Sequence, residues 1–171
     1  WSDTANLNYE NKDVWKGMQD ALRFWMERGI DGFRCDMACE VPPEFWQQAI
    51  AGLRADYPHM YWLAEGEEPL LHSLSDFNAS YSWELHHMMN DIAQGRKNIP
   101  ELLAYLKKDA ERHPADSVNA FRLMFTSNHD ENSWAGTEFE RMGDAAKVMA
   151  VLTFTLPNGQ PLIYTGQEMG W

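Results

Sequence analysis

Residues 30–36 read IDGFRCD, a short run in which Ile30 and Phe33 are the apolar members and Asp36 is the end. Such a run suits a strand buried on both faces, as strands of a parallel sheet are. The same grammar recurs at residues 60–65, MYWLAE, which end in Glu65, and at residues 120–130, AFRLMFTSNHD, which end in Asp130. Residues 79–83 and the stretch PLIYTG at residues 161–166 read as two further strands. Helical stretches lie between them. In residues 13–28, Val14, Met18, Leu22 and Trp25 recur at three- and four-residue spacing, which marks one buried face, and Gly29 closes the helix. Pro42 and Pro43 open a second helix over residues 44–55, with Phe45, Trp46, Ile50 and Leu53 as its apolar members. Residues 67–77 form a loop or brief helix, and residues 85–93, 100–112 and 142–156 are read as helices, with Gly95 as a break.

Alternation of strand and helix implies an α/β fold with a parallel sheet, either an open doubly wound sheet or a closed barrel. Three separate strands that end in carboxylates favour the TIM (β/α)8 barrel, where chemistry gathers at the C-terminal ends of several strands; an open sheet concentrates it at one switch point. The sequence has no Gly-rich phosphate loop of the dinucleotide-binding type after a strand. A complete barrel takes about 250 residues and eight strands, whereas about five strands are visible, so the expected fold is a partial barrel. The chain opens on Trp1 without an initiator Met and closes on MGW inside a motif. Residues 1–171 therefore read as a fragment of one catalytic domain, its remaining strands expected before Trp1.

The composition is that of a globular domain, 44% hydrophobic and 23% charged. With 14 Lys and Arg against 26 Asp and Glu, the formal net charge is −12, which argues against a nucleic-acid or anionic-membrane partner. The sequence shows no apolar run of the roughly 18 residues that a membrane span needs. Eight Trp, six Tyr and eight Phe supply flat apolar faces suited to the CH faces of sugars, although core packing accounts for most aromatic residues. Cys35 and Cys39 are the only cysteines and sit too close together to staple distant segments.

An isolated Asp after a strand is more often a cap than a catalyst, because its carboxylate satisfies free backbone donors. Context changes the reading. Strand alternation puts Arg34 and Asp36 on one face, where the guanidinium would keep the carboxylate ionised and oriented. Two acids on neighbouring strands could serve retaining glycoside hydrolysis, one attacking the anomeric carbon while the other protonates the leaving oxygen. In this context GIDGFRCDMACE resembles the fourth-strand segment of the α-amylase family (glycoside hydrolase family 13). LAEGE is similar to the family's fifth-strand segment, FTSNHDEN to the seventh and GQPLIYTGQE to the eighth, in family order over nearly the whole chain.

That resemblance implies Asp36 as nucleophile, Glu65 as general acid/base and Asp130 as the carboxylate that grips sugar hydroxyls. It implies Arg34 as the group orienting Asp36 and His129 as a hydrogen-bonding partner of the same ring. Negative charge on Asp36 and Asp130 would favour the protonated acid that Glu65 must be. Glu67 and Glu68 read as solvated loop charges. Two positions depart from the family pattern: Cys39-Glu40 stands where many members have Lys-His, and Asn6 stands where many carry an acidic calcium ligand. No metal site and no cofactor are predicted, with calcium left open for a longer parent protein. The adjacent His86 and His87 read as surface or packing residues rather than ligands. The implied partner is an α-glucan or oligosaccharide, and self-association of a truncated barrel is expected through its open edge and apolar face. Three rival readings stand: a transglycosylase or isomerase using the same intermediate, a non-catalytic amylase-like module, and a plain α/β scaffold with acidic strand caps.

Overall fold

The computed structural model describes residues 5–113 and 120–171. The chain divides into two compact units, Trp1–Asn78 and Ala79–Trp171.

In the first unit the order is α1 (Lys12–Met26), β1 (Gly32–Cys35), a 3-10 turn (Ala38–Glu40), α2 (Pro43–Asp56), β2 (Tyr61–Ala64) and α3 (Leu70–Ser73). The two strands are parallel, in register from Gly32 opposite Tyr61 to Cys35 opposite Ala64. The residues that follow each strand, Asp36 and Glu65, therefore leave the sheet at the same level. Helix α2 buries Phe45, Trp46, Ala49, Ile50 and Leu53, the expected apolar set with one alanine added. Phe45 is the hub of an aromatic cluster, with ring centroids 5.1 Å from Tyr9, 5.6 Å from Trp15 and 5.1 Å from Trp46. Such edge contacts add to the area that each ring buries. Helix α1 turns inward much of the face that its spacing suggests, with Met18 and Leu22 packed against the core, but Trp25 departs from it. Trp15 and Met26 are buried, while Trp25 is 53% exposed. The Trp15 indole donates to the Tyr9 carbonyl at 2.7 Å, which fixes that side of the helix against the core.

The second unit runs β3 (Ala79–Tyr81), α4 (Trp83–Ala93), α5 (Ile99–Arg112), β4 (Phe121–Phe125), α6 (His129–Trp134), α7 (Glu138–Met142), α8 (Ala145–Thr155), β5 (Gly159–Leu162) and a 3-10 turn (Gln167–Met169). Strand β4 pairs in parallel with β3 and with β5. The helix expected over residues 142–156 is α8; it starts three residues later because Gly143, at φ +55° and ψ −138°, a conformation open only to glycine, ends a separate short helix at Met142. The last strand begins at Gly159, earlier than the apolar run suggests, and Ile163 beyond it is 57% exposed. Helix α8 is apolar on two sides: Ala146, Met149 and Thr153 are buried, while Val148, Val151 and Phe154 are each more than half exposed.

Gly32 shows how tightly β1 and β2 are joined. A Cβ there would press on the Tyr61 carbonyl and come within 2.9 Å of the Tyr61 Cβ. Gly32→Ala is expected to push the strands apart and destabilise the chain by about 1–3 kcal/mol, read as a lower urea midpoint; an unchanged midpoint would show that β1 shifts without cost.

Candidate active site

The first constellation stands where β1 and β2 end. Arg34, two residues before Asp36, reaches both carboxylates: one terminal nitrogen donates to Asp36 Oδ1, and the other lies 2.8 Å from Glu65 Oε1. Strand alternation anticipated the first partner; the second comes from the parallel register, which brings Glu65 beside Asp36. The two acids differ in setting. The Asp36 side chain is 74% exposed and that of Glu65 only 11%. Glu65 Oε2 accepts a hydrogen bond from the Met37 backbone N–H at 2.8 Å, so both its oxygens are held.

That second bond depends on an uncommon backbone. Met37 sits in the left-handed region, φ 45° and ψ 43°, at a cost on the order of 1–2 kcal/mol for a residue with a side chain. The turn it makes also lets Ala38 N–H donate to the Glu65 carbonyl at 3.0 Å, while Glu65 N–H donates to the Cys35 carbonyl at 2.9 Å. From behind, the Trp46 indole donates to the Ala38 carbonyl at 3.0 Å. The segment after Asp36 is thus fixed on Glu65 at one side and on the core at the other.

Beside Asp36 lies a cleft of about 700 Å³, lined by Ala5, Asn6, Leu7 and Tyr9 on one side and by Asp36, Met37, Glu40 and Val41 on the other. Asn6 and Glu40, the two departures noted in the sequence, therefore face one space. Among the described residues no group of three or more His, Cys, Asp and Glu is arranged to hold a metal ion. Glu67 is half-buried and Glu68 exposed, and the Glu68 carboxylate accepts the Glu67 N–H at 3.1 Å, a local loop contact.

The second constellation stands at the end of β4. Thr126, Ser127 and Asn128 are buried, and the chain then emerges at His129 and Asp130, whose Nε2 and Oδ2 lie 3.4 Å apart. These residues open α6, a short helix in a stretch that the sequence pattern marks only as the end of a strand. Its start signal was present: Asn128 accepts the Glu131 N–H at 2.8 Å, the N-cap pattern of Asn followed three residues later by Glu. Helical spacing sets Trp134, 88% exposed, one turn from Asp130 on the same face. His86 is fully buried and hydrogen-bonded, whereas His87 is exposed; the pair divides between the two roles expected of it.

The model of the alpha amylase catalytic domain matches residues 1–171. The chain belongs to the α-amylase family. It is 31% identical to alpha-amylase MalA of Haloarcula japonica over 99% of this chain and 25% of that protein. It is also 28% identical to a 4-alpha-glucanotransferase of Thermotoga neapolitana over 98% of this chain and 37% of that one. Among solved structures, an alpha-amylase from Lactobacillus plantarum superposes with a TM-score of 0.80 at 29% identity, covering 98% of this chain and 42% of the other. The maltogenic alpha-amylase AmyB from Thermotoga neapolitana gives 0.82 at 26% identity, covering 99% and 38%. This α-amylase-family chain thus spans between a quarter and about two-fifths of the relatives it matches. Its fold is part of their (β/α)8 barrel.

Two consequences of the local environment can be measured. Burial pushes the Cys35 thiol up to about 12, and burial followed by the charges of Glu68 and Glu40 raises that of Cys39. At pH 8 a disulfide reagent should therefore titrate Cys39 slowly and leave Cys35 untouched until denaturant is added; two fast equivalents in the native chain would contradict this burial. Separately, the hydrogen bond from His86 holds the Glu131 carboxyl below its ordinary value of 4.5. A depressed folded-state value stabilises the chain above pH 4.5 and loses that contribution as pH falls through it. Urea midpoints at pH 7 and pH 4 should differ less in Glu131→Gln than in the unaltered chain.

Proposed function

We propose that the protein carrying this chain is a retaining glycoside hydrolase acting on α-glucosidic linkages of starch-like oligo- or polysaccharides. The observation that carries the reading is the shared Arg34, which ties an exposed carboxylate and a shielded one together at adjacent parallel strand ends. Retention requires two acids with different duties, and these two differ in exposure and in hydrogen bonding. Asp36, open to the cleft, is assigned the nucleophile: its carboxylate attacks the anomeric carbon and forms a glycosyl ester as the glycosidic C–O bond breaks. Glu65 is assigned the acid that delivers a proton to the departing oxygen. In the second step Glu65 takes a proton from water, which attacks the same carbon and releases Asp36. Arg34 orients Asp36 and, through its other nitrogen, places Glu65. His129 and Asp130 are assigned to the sugar hydroxyls by the family resemblance, and the exposed Trp134 offers a stacking face one turn from Asp130.

A second reading keeps the first step and changes the acceptor. The 4-alpha-glucanotransferase of Thermotoga neapolitana among the relatives supports transfer to a sugar hydroxyl in place of water. The five strands described here fall short of the eight that close a barrel, so the 171 residues alone are expected to be weakly active or inactive.

In a protein that supplies the complete barrel, Asp36→Asn, Glu65→Gln and Asp130→Asn should each lower turnover of maltooligosaccharides by about a thousandfold. The first product seen by proton NMR should keep the α configuration. Full activity in Asp36→Asn, or a first product with inverted configuration, would overturn the assignment. Trp134→Ala should raise KM by roughly threefold with kcat nearly unchanged, and product analysis with and without added glucose separates hydrolysis from transfer.

A further inference from the structure

The second unit holds a largely enclosed polar network for which the roles above have no use. His86, on α4, is wholly enclosed; its ring stacks on Phe125 with centroids 4.8 Å apart. Its Nδ1 lies 3.2 Å from the Phe125 carbonyl and its Nε2 3.0 Å from the Glu131 carboxylate. The Asn90 amide nitrogen also lies 3.2 Å from Nε2, so the ring is held from both of its nitrogens. Asn90, one turn along α4, donates to the His86 carbonyl at 2.9 Å and accepts from Arg141 Nη1 at 2.8 Å. Arg141, with only 8% of its side chain exposed, completes the circuit. Its Nη2 donates to the Thr126 carbonyl at 2.7 Å, its Nε to the Gly136 carbonyl at 3.2 Å, and Nη1 stands 3.9 Å from the Glu131 carboxylate.

This network converges on the turn that carries Asp130. Glu131 is the next residue, its backbone N–H is tied to the Asn128 cap at 2.8 Å, and its carboxylate is drawn inward by His86 and Arg141. The Arg141 bond to Thr126 fixes the same segment where it leaves β4. A shielded polar network is weak evidence for stability, because desolvation offsets much of the attraction that its groups gain. What the network supplies is direction: a guanidinium fork and an imidazole suit only a narrow range of carboxylate positions.

We propose that Glu131, locked by His86 and Arg141, is a positioning residue that sets the orientation of the Asp130 carboxylate for glycosyl transfer. The inference rests on the role given to Asp130 in the proposed function.

The test compares Glu131→Gln, His86→Gln, the double variant and Asp130→Asn in a protein with the complete barrel, using maltoheptaose as substrate and urea midpoints to follow folding. Glu131→Gln should remain folded and lose about tenfold or more in kcat, while KM moves by less than about twofold. The double variant replaces the imidazole–carboxylate contact by an amide pair of similar reach and should recover most of the lost kcat. An inactive Asp130→Asn beside a Glu131→Gln with unaltered kcat and KM would overturn this inference alone. So would losses that simply add in the double variant, or a fall in activity that only tracks the folded fraction. A fully active Asp130→Asn would overturn the assigned role of Asp130 and this inference with it.

Discussion

One guanidinium shared between two carboxylates organises the end of the first pair of strands. Arg34 could not reach both Asp36 and Glu65 unless β1 and β2 ran parallel and in register, with both acids leaving the sheet at one level. The pairing also makes the shielded position of Glu65 tenable. A carboxyl group with 11% of its side chain exposed has given up most of its water, and Arg34 and the Met37 N–H occupy its two oxygens in place of that water. The left-handed backbone at Met37 and the Trp46 indole bond to Ala38 follow from that requirement, since together they bring the N–H to its place.

The second unit solves a related problem with the same kind of residue under different conditions. Arg34 is partly open to solvent and meets two side chains, whereas Arg141 is nearly enclosed and divides its donors between backbone carbonyls, an amide and a carboxylate. Burial pushes the Arg141 pKa down, yet the nearby charges of Glu131 and Glu138 act against the loss of its proton. In each unit the planar fork fixes the tip of a strand while the strand itself is held by its ladder. The division suits a barrel in which the sheet is general and the tips carry the chemistry.

The fold was legible where parallel strands leave a clear mark: short apolar runs, interrupted by helical spacing and ended by a carboxylate. That pattern located β1, β2 and β4, with Asp36 and Glu65 directly after the first two and Asp130 five residues beyond the third, in α6. Elsewhere local and distant forces competed. The spacing of α1 named Trp25 as a core residue, but the bond between Trp15 and Tyr9 turns the helix so that Trp25 faces out. Helices α6 and α7 escaped because both are short, although Asn128 with Glu131 and Thr137 with Glu140 spell out their caps. The burial of His86 had little local signal, since beyond Asn90 one turn away its partners Phe125 and Glu131 come from elements far along the chain. The second partner of Arg34 was hidden for the same reason.

Helix α8 carries a consequence for handling the protein. With Met149 turned inward and Val148, Val151 and Phe154 turned outward, it offers water an oily ridge where a surface helix would present charge. Until that ridge is covered it is a sticky site: a binding point for chaperones during synthesis, and a nucleus for precipitation in concentrated solution. Yield and shelf life should therefore respond to what is placed against α8 more than to changes at the carboxylates.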